Sequence, residues 1–522
     1  MKATRALVVA CALALAFSGT AAADTSNDFA GHHRQIFPVY VVRGLTLGDL
    51  PQLATEGAVG LMVPNAGPRT SQAAAFAGMV RGILYNTRLP WPHDTVLIRV
   101  HGSTSIPQHG PAIVVGLPPG TSAPNDRRYP IAVIGHGYHG LLVSSLTRVP
   151  GLVSIADVAR TALQTPHALT TRRDGGPVAS SYRLEDQINV ARSTTMPGSV
   201  LVMSLLVLIA LFYPRGAPAA LGAAVAVNLI EGWFPTGDAG PRVTLLGLCT
   251  VAGALFGPVF FRRRLALGLG LVALLAAYAA SMLARPSSLS LAPIGPELTS
   301  RFFGVSNLLE TWLLFPGLLA AAILTRRFGW FAFLAVGGLT LVTIAENGLG
   351  SDGGGAIVVG VAFALLAVQL VGARMRYSVP ALAIAAFVVF ALVNVDASVS
   401  GPDHLRGALT GGVDGIANVA ANRIPLAYDR AVQQWWLLFP GLVLLVVGVA
   451  VVRTARDRVV RAVTVAVLGG LLASLLVNDS AGPVMIGGLA VVLACEGGLL
   501  HRTLVVPVLR RFALPIPVPL KP

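Results

Sequence analysis

Charge is what this sequence has least of. Only 12% of its 522 residues are Asp, Glu, Lys or Arg, about half of the roughly 25% that a soluble globular chain carries. Half the usual charge cannot cover a soluble surface of this size. With 54% apolar residues and a mean hydropathy of +0.72, the chain reads as a polytopic membrane protein with at most one soluble portion. The same apolar content excludes intrinsic disorder. Cysteine is nearly absent. Cys11 lies in a leader-like segment, while Cys249 and Cys495 lie in apolar runs, which excludes a disulfide scaffold. Lysine is confined to Lys2 and Lys521, against 36 arginines. So uniform a bias reflects an Arg-favouring composition, so the net charge of +15 is not read as a nucleic-acid surface. P-loop, haem, Rossmann and zinc motifs are missing as well, and no cofactor is expected.

What is present falls into five parts. Residues 1–23 read as a signal peptide: Lys2 and Arg5, an apolar run from Ala6 to Phe17, then Ala21-Ala22-Ala23. Residues 24–164 have ordinary composition and form an extracytoplasmic α/β domain. Strands are expected at 38–42, 96–100, 112–115 and 129–134, and helices at 47–55, 71–85 and 155–164. Residues 165–195 are polar and read as a linker. Residues 196–500 form the membrane domain, and 501–522 a cytoplasmic tail.

Eleven apolar stretches are read as spans: 196–213, 216–234, 243–261, 265–284, 308–325, 328–347, 355–372, 378–395, 437–452, 462–477 and 483–500. The leader places the first domain outside. The connections then expected in the cytoplasm hold sixteen basic residues, among them Arg262, Arg263, Arg264, Arg326, Arg327 and Arg456, whereas the longer outer connections hold six. This asymmetry agrees with the positive-inside rule. The expected location is the bacterial cytoplasmic membrane, multi-pass, with the bilayer as the one certain partner. Oligomeric state is not legible.

Carboxylates near hydrocarbon are costly and face a cavity or a partner. Glu231, Glu310 and Glu346 each sit inside or at the edge of an apolar run. A candidate site at the outer membrane face is read from Arg301, Asn307, Glu310, Asp352, Asn478 and Asp479. Asp352 lies in the glycine-rich loop Gly348-Leu349-Gly350-Ser351-Asp352-Gly353-Gly354-Gly355, where backbone N–H groups can approach an anion. The bland alternative is that outer loops simply carry polar residues.

The exported domain resembles the alkaline-phosphatase superfamily. The motifs are Val39-Tyr40-Val41-Val42-Arg43-Gly44-Leu45 followed by Leu47-Gly48-Asp49-Leu50, then Ile134-Gly135-His136-Gly137, then the run from Leu142 to Ala159. They cover about residues 38–163. The resemblance implies a site where two divalent metals on Asp and His ligands activate a Ser or Thr nucleophile. Here Arg43 and Gly135 stand where the family has Asp, and only His136 matches. The implied reading is a degenerate, metal-free copy, a pseudoenzyme. The membrane half is similar to that of bacterial envelope proteins that join such a domain to many spans. The function expected is a cell-envelope protein with an inactive phosphatase-like domain over an outward-facing polar cavity, binding or processing a lipid-linked or glycan phosphate. The alternatives are a multi-span transporter or flippase, and an active metal-dependent phosphohydrolase.

Overall fold

A computed structural model describes residues 35–84, 97–107, 110–165, 168–299, 301–346, 349–350, 353–372, 432, 438–477, 481–502 and 506. The expected leader, the stretch 378–395 and the loop around Asp403 lie outside the described residues.

The N-terminal unit runs β1 (Val39–Val42), α1 (Leu50–Glu56), β2 (Gly57–Val63), β3 (Arg69–Thr70), α2 (Gln72–Arg81), β4 (Val100–Ser103), β5 (Ala112–Val115), β6 (Ala123–Pro124), β7 (Tyr129–Ile134), β8 (Gly140–Val143), β9 (Leu152–Ser154), α3 (Ala156–Ala162) and β10 (Thr170–Arg172). The main sheet has the order β10-β8-β2-β7-β5-β1-β4, with β9 also on β2. β1 is parallel to β4 and β5, but β7 is antiparallel to both its neighbours, β5 and β2. Apolar side chains alternate between the two faces, as the period of two requires. Ile131 and Val133 meet Met79, Val158 and Ala162 of α2 and α3 on one face. Ala132 and Ile134 meet Leu50 and Leu53 of α1 on the other.

The strand reading needs correction. It misses β2, along with the short β3, β6, β8, β9 and β10, and in Gly57-Ala58-Val59-Gly60-Leu61-Met62-Val63 two glycines interrupt the apolar run. All seven residues are buried, since both faces are covered. A Cβ on Gly57 would run into the Val133 carbonyl, so the close antiparallel approach dictates glycine there. The strand expected at 96–100 starts only at Val100. The Leu97 N–H donates to the Val80 carbonyl at 2.8 Å, which pins this stretch to the end of α2.

The membrane unit follows as α4 (Pro177–Phe212), α5 (Ala217–Trp233), α6 (Ala239–Phe260), α7 (Arg264–Ala284), α8 (Asn307–Phe328), α9 (Trp330–Ala345), α10 (Gly353–Val371), α11 (Leu438–Thr454), α12 (Arg458–Val477) and α13 (Ala481–Leu500). Ten of the expected apolar stretches are thus helices. Among the described residues, six helices are long and apolar enough to cross a membrane: α4, α6, α7, α8, α10 and α12. α8 lies at the centre, with every residue from Leu308 to Leu324 buried.

The expected linker is largely helical. Asp174 caps the start of α4, accepting from the Gly176 N–H at 2.8 Å and the Ser180 hydroxyl at 3.0 Å. Pro177 at the first helical position suits its fixed φ. The 36-residue helix, about 54 Å long at 1.5 Å per residue, buries Ser181, Leu184, Ile188 and Ala191 against the sheet unit. It then continues into the bundle without a break. Polar anchors fix the docked half: Arg128 Nε lies 2.6 Å from Glu185 Oε2, Arg128 also donates to Asn189 Oδ1, and the Tyr182 hydroxyl donates to the Leu47 carbonyl at 2.7 Å.

Arg128→Ala is expected to strand Glu185 and lower stability by about 3 kcal/mol. The readout is faster proteolysis at residues 172–177 in the detergent-purified protein.

Candidate functional site

The 22 residues between α7 and α8 decide what sits between the sheet and the bundle. They are rich in Ser, Pro and Leu, and the described ones form no regular element, yet residues 287–294 are buried throughout. Leu291, Leu298 and Phe302 complete the lower face of the sheet beside Leu53 and Ile188. Leu289 and Ile294 belong to the bundle core. This segment is therefore a seam shared by both units. A buried irregular backbone needs partners for its polar groups, and side chains of the bundle and of the segment itself supply some of them. The Ile294 N–H donates to Asn228 Oδ1 at 2.8 Å. The Ile294 carbonyl accepts from the Ser306 hydroxyl at 3.1 Å. The Phe302 carbonyl accepts from the Ser290 hydroxyl at 2.7 Å.

Arg242 is the main cation of the seam. It is fully buried and lies in the first turns of α6. Its Nη1 donates to the Leu291 carbonyl at 2.9 Å, and its Nε and Nη2 donate to the Thr236 carbonyl at 2.9 and 2.7 Å. Glu231 of α5 is 1% exposed and stands 3.9 Å from Arg242 Nε, yet neither of its oxygens accepts a hydrogen bond. The pair is thus asymmetric. Two carbonyls take three of the arginine's N–H donations, and the glutamate is held by charge alone. Asn228 extends the network by donating to the Tyr278 hydroxyl at 3.3 Å, which donates to the Val225 carbonyl at 2.7 Å.

Beside the seam, α5 and α7 leave an apolar groove of about 360 Å³, lined by Leu229, Ile230, Trp233, Phe234, Ala277, Ala280 and Ser281. Its rim is polar. Trp233 Nε1 donates to the Ser281 hydroxyl, and the Arg285 guanidinium lies 5.8 Å from the Trp233 ring centroid while donating to the Trp233 carbonyl at 3.4 Å. Ile230, Phe234 and Leu283 are exposed on this flank.

Of the residues read from sequence, Arg301, Asn307 and Glu310 fall at the start of α8. Arg301 donates to the Val305 carbonyl, and the Ser306 hydroxyl caps the helix by accepting from the Leu309 N–H at 3.2 Å. Asn307 is half-buried and Glu310 fully buried. The turn at Gly350 meets this segment, its carbonyl accepting from the Val305 N–H at 2.9 Å. The first half of α13 packs there too, Gly487 lying against Leu308 and Thr311. Asp352, Asn478 and Asp479 lie outside the described residues. Arg148 of the sheet unit reaches the same end of the bundle, with its guanidinium 4.0 Å from the Phe303 ring centroid and within electrostatic reach of Glu346.

The phosphatase-like positions are not brought together. Arg43 follows the end of β1, but Gly135 and His136 follow the end of β7, which runs the opposite way. Gly135 packs on Phe37 and Pro111, so about six residues of strand, roughly 20 Å at 3.3 Å per residue, separate it from Arg43. Arg43 and His136 are exposed. Among the described residues, no group of three or more His, Cys, Asp and Glu could hold a metal ion. The buried acid of this unit is Asp157, at the start of α3. It accepts from the Ser154 N–H at 2.7 Å. Burial pushes its pKa up to about 6, against the opposing effect of the Ser144 and Ser154 bonds and Arg160.

Sequence reasoning placed Glu231 near the outer end of its span but missed its partner. Arg242 counted only as one outer basic residue, although a lone arginine opening an apolar helix was a signal. The fold and seam define a helical protein of membrane-spanning type that carries an α/β sheet unit docked on one end. Comparison with protein-family models, with curated proteins and with solved structures finds no match.

Two predictions follow from these buried acids. The folded-state pKa of Asp157 lies above that of the unfolded chain, so the folded state binds the proton more tightly and stability falls as pH rises from about 4 through about 6. The size is on the order of 3 kcal/mol at 1.36 kcal/mol per unit. Asp157→Asn should flatten thermal midpoints measured across that window. For the seam pair, Arg242→Met removes three carbonyl contacts and leaves a buried carboxylate. It should cost about 3–5 kcal/mol and appear as aggregation in size-exclusion chromatography, whereas Glu231→Gln should elute as the native protein does.

Proposed function

We propose that this chain is a multi-pass protein of the bacterial cytoplasmic membrane, with about eleven spans, its sheet unit outside and its C-terminus in the cytoplasm, that binds a lipid-linked phosphate at the outer leaflet. The carrying observation is the groove between α5 and α7. Its apolar lining suits a hydrocarbon chain, and Arg285, which contacts Trp233 of that lining, stands at the end of α7 that leads into the seam. Guanidinium groups suit phosphate because their donors form a fork. The sorting of connections supports the topology. Val305 and Gly350 meet at the end that carries the sheet unit, while Arg264 and Asp457 pair at the other end, 2.6 Å apart. The arginine-rich end is then cytoplasmic.

In this reading the alkaline-phosphatase resemblance describes a scaffold. With Arg43 and Gly135 at opposite ends of the sheet, the unit acts by covering the seam and orienting a headgroup, and the chemistry, if any, belongs to partners. Support comes from Glu231 of α5, one of the two helices that frame the groove, which stands 3.9 Å from Arg242.

A benzophenone-bearing isoprenoid phosphate, irradiated with the full-length protein in membranes, should label α5 or α7. Ala280→Trp, at an exposed position, should fill the groove and abolish labelling. Arg285→Ala should weaken it about tenfold, the worth of one charge-assisted bond of about 1.4 kcal/mol. Unchanged labelling in both variants overturns the proposal.

A further inference from the structure

The opposite end of the bundle carries a second concavity that the proposed function does not use. Three connections meet there: residues 261–264, 325–330 and 453–461. Together they hold nine arginines and one aspartate. That aspartate, Asp457, is already engaged by Arg264 at 2.6 Å and by the Val459 N–H at 2.8 Å. A cavity of about 190 Å³ lies between the starts of α7 and α12 and the end of α8. Its cations are Arg264, Arg326 and Arg327, and its walls are Leu265, Ile323 and Val459. Arg326 and Arg327 are exposed; Arg326 lies within electrostatic reach of Asp457, and neither side chain makes a hydrogen bond or a close ion pair among the described residues.

We infer that this cavity binds the headgroup of an anionic phospholipid at the bilayer surface. Three observations select that ligand over a soluble anion. The cations stand over an apolar wall, so the site joins a charged rim to a surface suited to acyl chains. Phe328, Trp330 and Phe331, exposed immediately after the two arginines, place aromatic rings at the same level, which is where aromatic side chains sit in a membrane interface. The charge balance favours a phosphate diester, because one carboxylate cannot neutralise three guanidinium groups. Basic pockets between spanning helices bind anionic headgroups by this combination. The site lies at the end of the bundle remote from Arg285, so it stands whether or not the groove there binds a lipid phosphate.

The test uses the full-length protein, delipidated in mild detergent, with phosphatidylglycerol, phosphatidylcholine and inorganic phosphate as probes in native mass spectrometry and thermal unfolding. Phosphatidylglycerol should stay bound and raise the thermal midpoint, and the other two should do neither. Arg326→Ala with Arg327→Ala should weaken phosphatidylglycerol binding roughly twenty- to thirtyfold, from about 1 kcal/mol for each basic residue. Arg262→Ala with Arg263→Ala removes the same charge outside the cavity and should change binding severalfold at most. Leu265→Trp, which keeps every charge and fills the cavity, gives an independent arm should the double variant fold poorly, and it should also abolish retention. Equal loss in the two double variants means a diffuse basic surface and overturns the site. Equal binding of phosphatidylcholine, or inorganic phosphate acting as well as the lipid, overturns the headgroup assignment.

Discussion

Backbone polarity in the seam is the constraint from which the rest of the architecture follows. Residues 287–294 are buried without helix or strand, and each unpaired N–H or carbonyl there would carry a desolvation cost. Non-helical backbone close to a membrane persists only where protein covers it. Arg242, Asn228 and Ser306 bond to the backbone of the segment, and Ser290 bonds from it to the Phe302 carbonyl. The polar residues of the first spans are thereby explained as partners of a chain that had to be non-helical. Glu231 balances the charge that this arrangement buries.

Attachment of the sheet unit follows from the same seam. Leu291, Leu298 and Phe302 supply side chains to the sheet's lower core, so the unit cannot lift off without exposing them. α4 runs from the sheet into the bundle as one helix, and the Arg128–Glu185 pair holds its first half in place. Arg148 against Phe303 adds a contact on the far side.

Inside the bundle, a buried α8 requires close neighbours. A Cβ on Gly317 would lie 2.6 Å from Thr340 Oγ1 of α9, so the two helices approach at a distance that only glycine permits. Packing of this kind, not polar contact, holds spanning helices together, since lipid tails are as apolar as the helices themselves. The two ends of the bundle differ in consequence. One is closed by the seam and the sheet, and the other is basic among the described residues.

Local patterns in the sequence determined a good deal. Apolar length marked ten helices, and the alternation of arginine-rich and arginine-poor connections sorted them to two ends, because both signals are properties of short windows. The strands at 39–42, 112–115 and 129–134 were legible for the same reason. Only the tertiary structure decided the pairing of those strands. The direction of β7 depends on neighbours distant in the chain, and it separates Arg43 from His136, which motif order alone had seemed to join. The same holds for the partner of Glu231, for the single helix that replaced the linker, and for the burial of 287–294. Each is a contact between residues far apart in sequence, and composition carries no record of which of them meet.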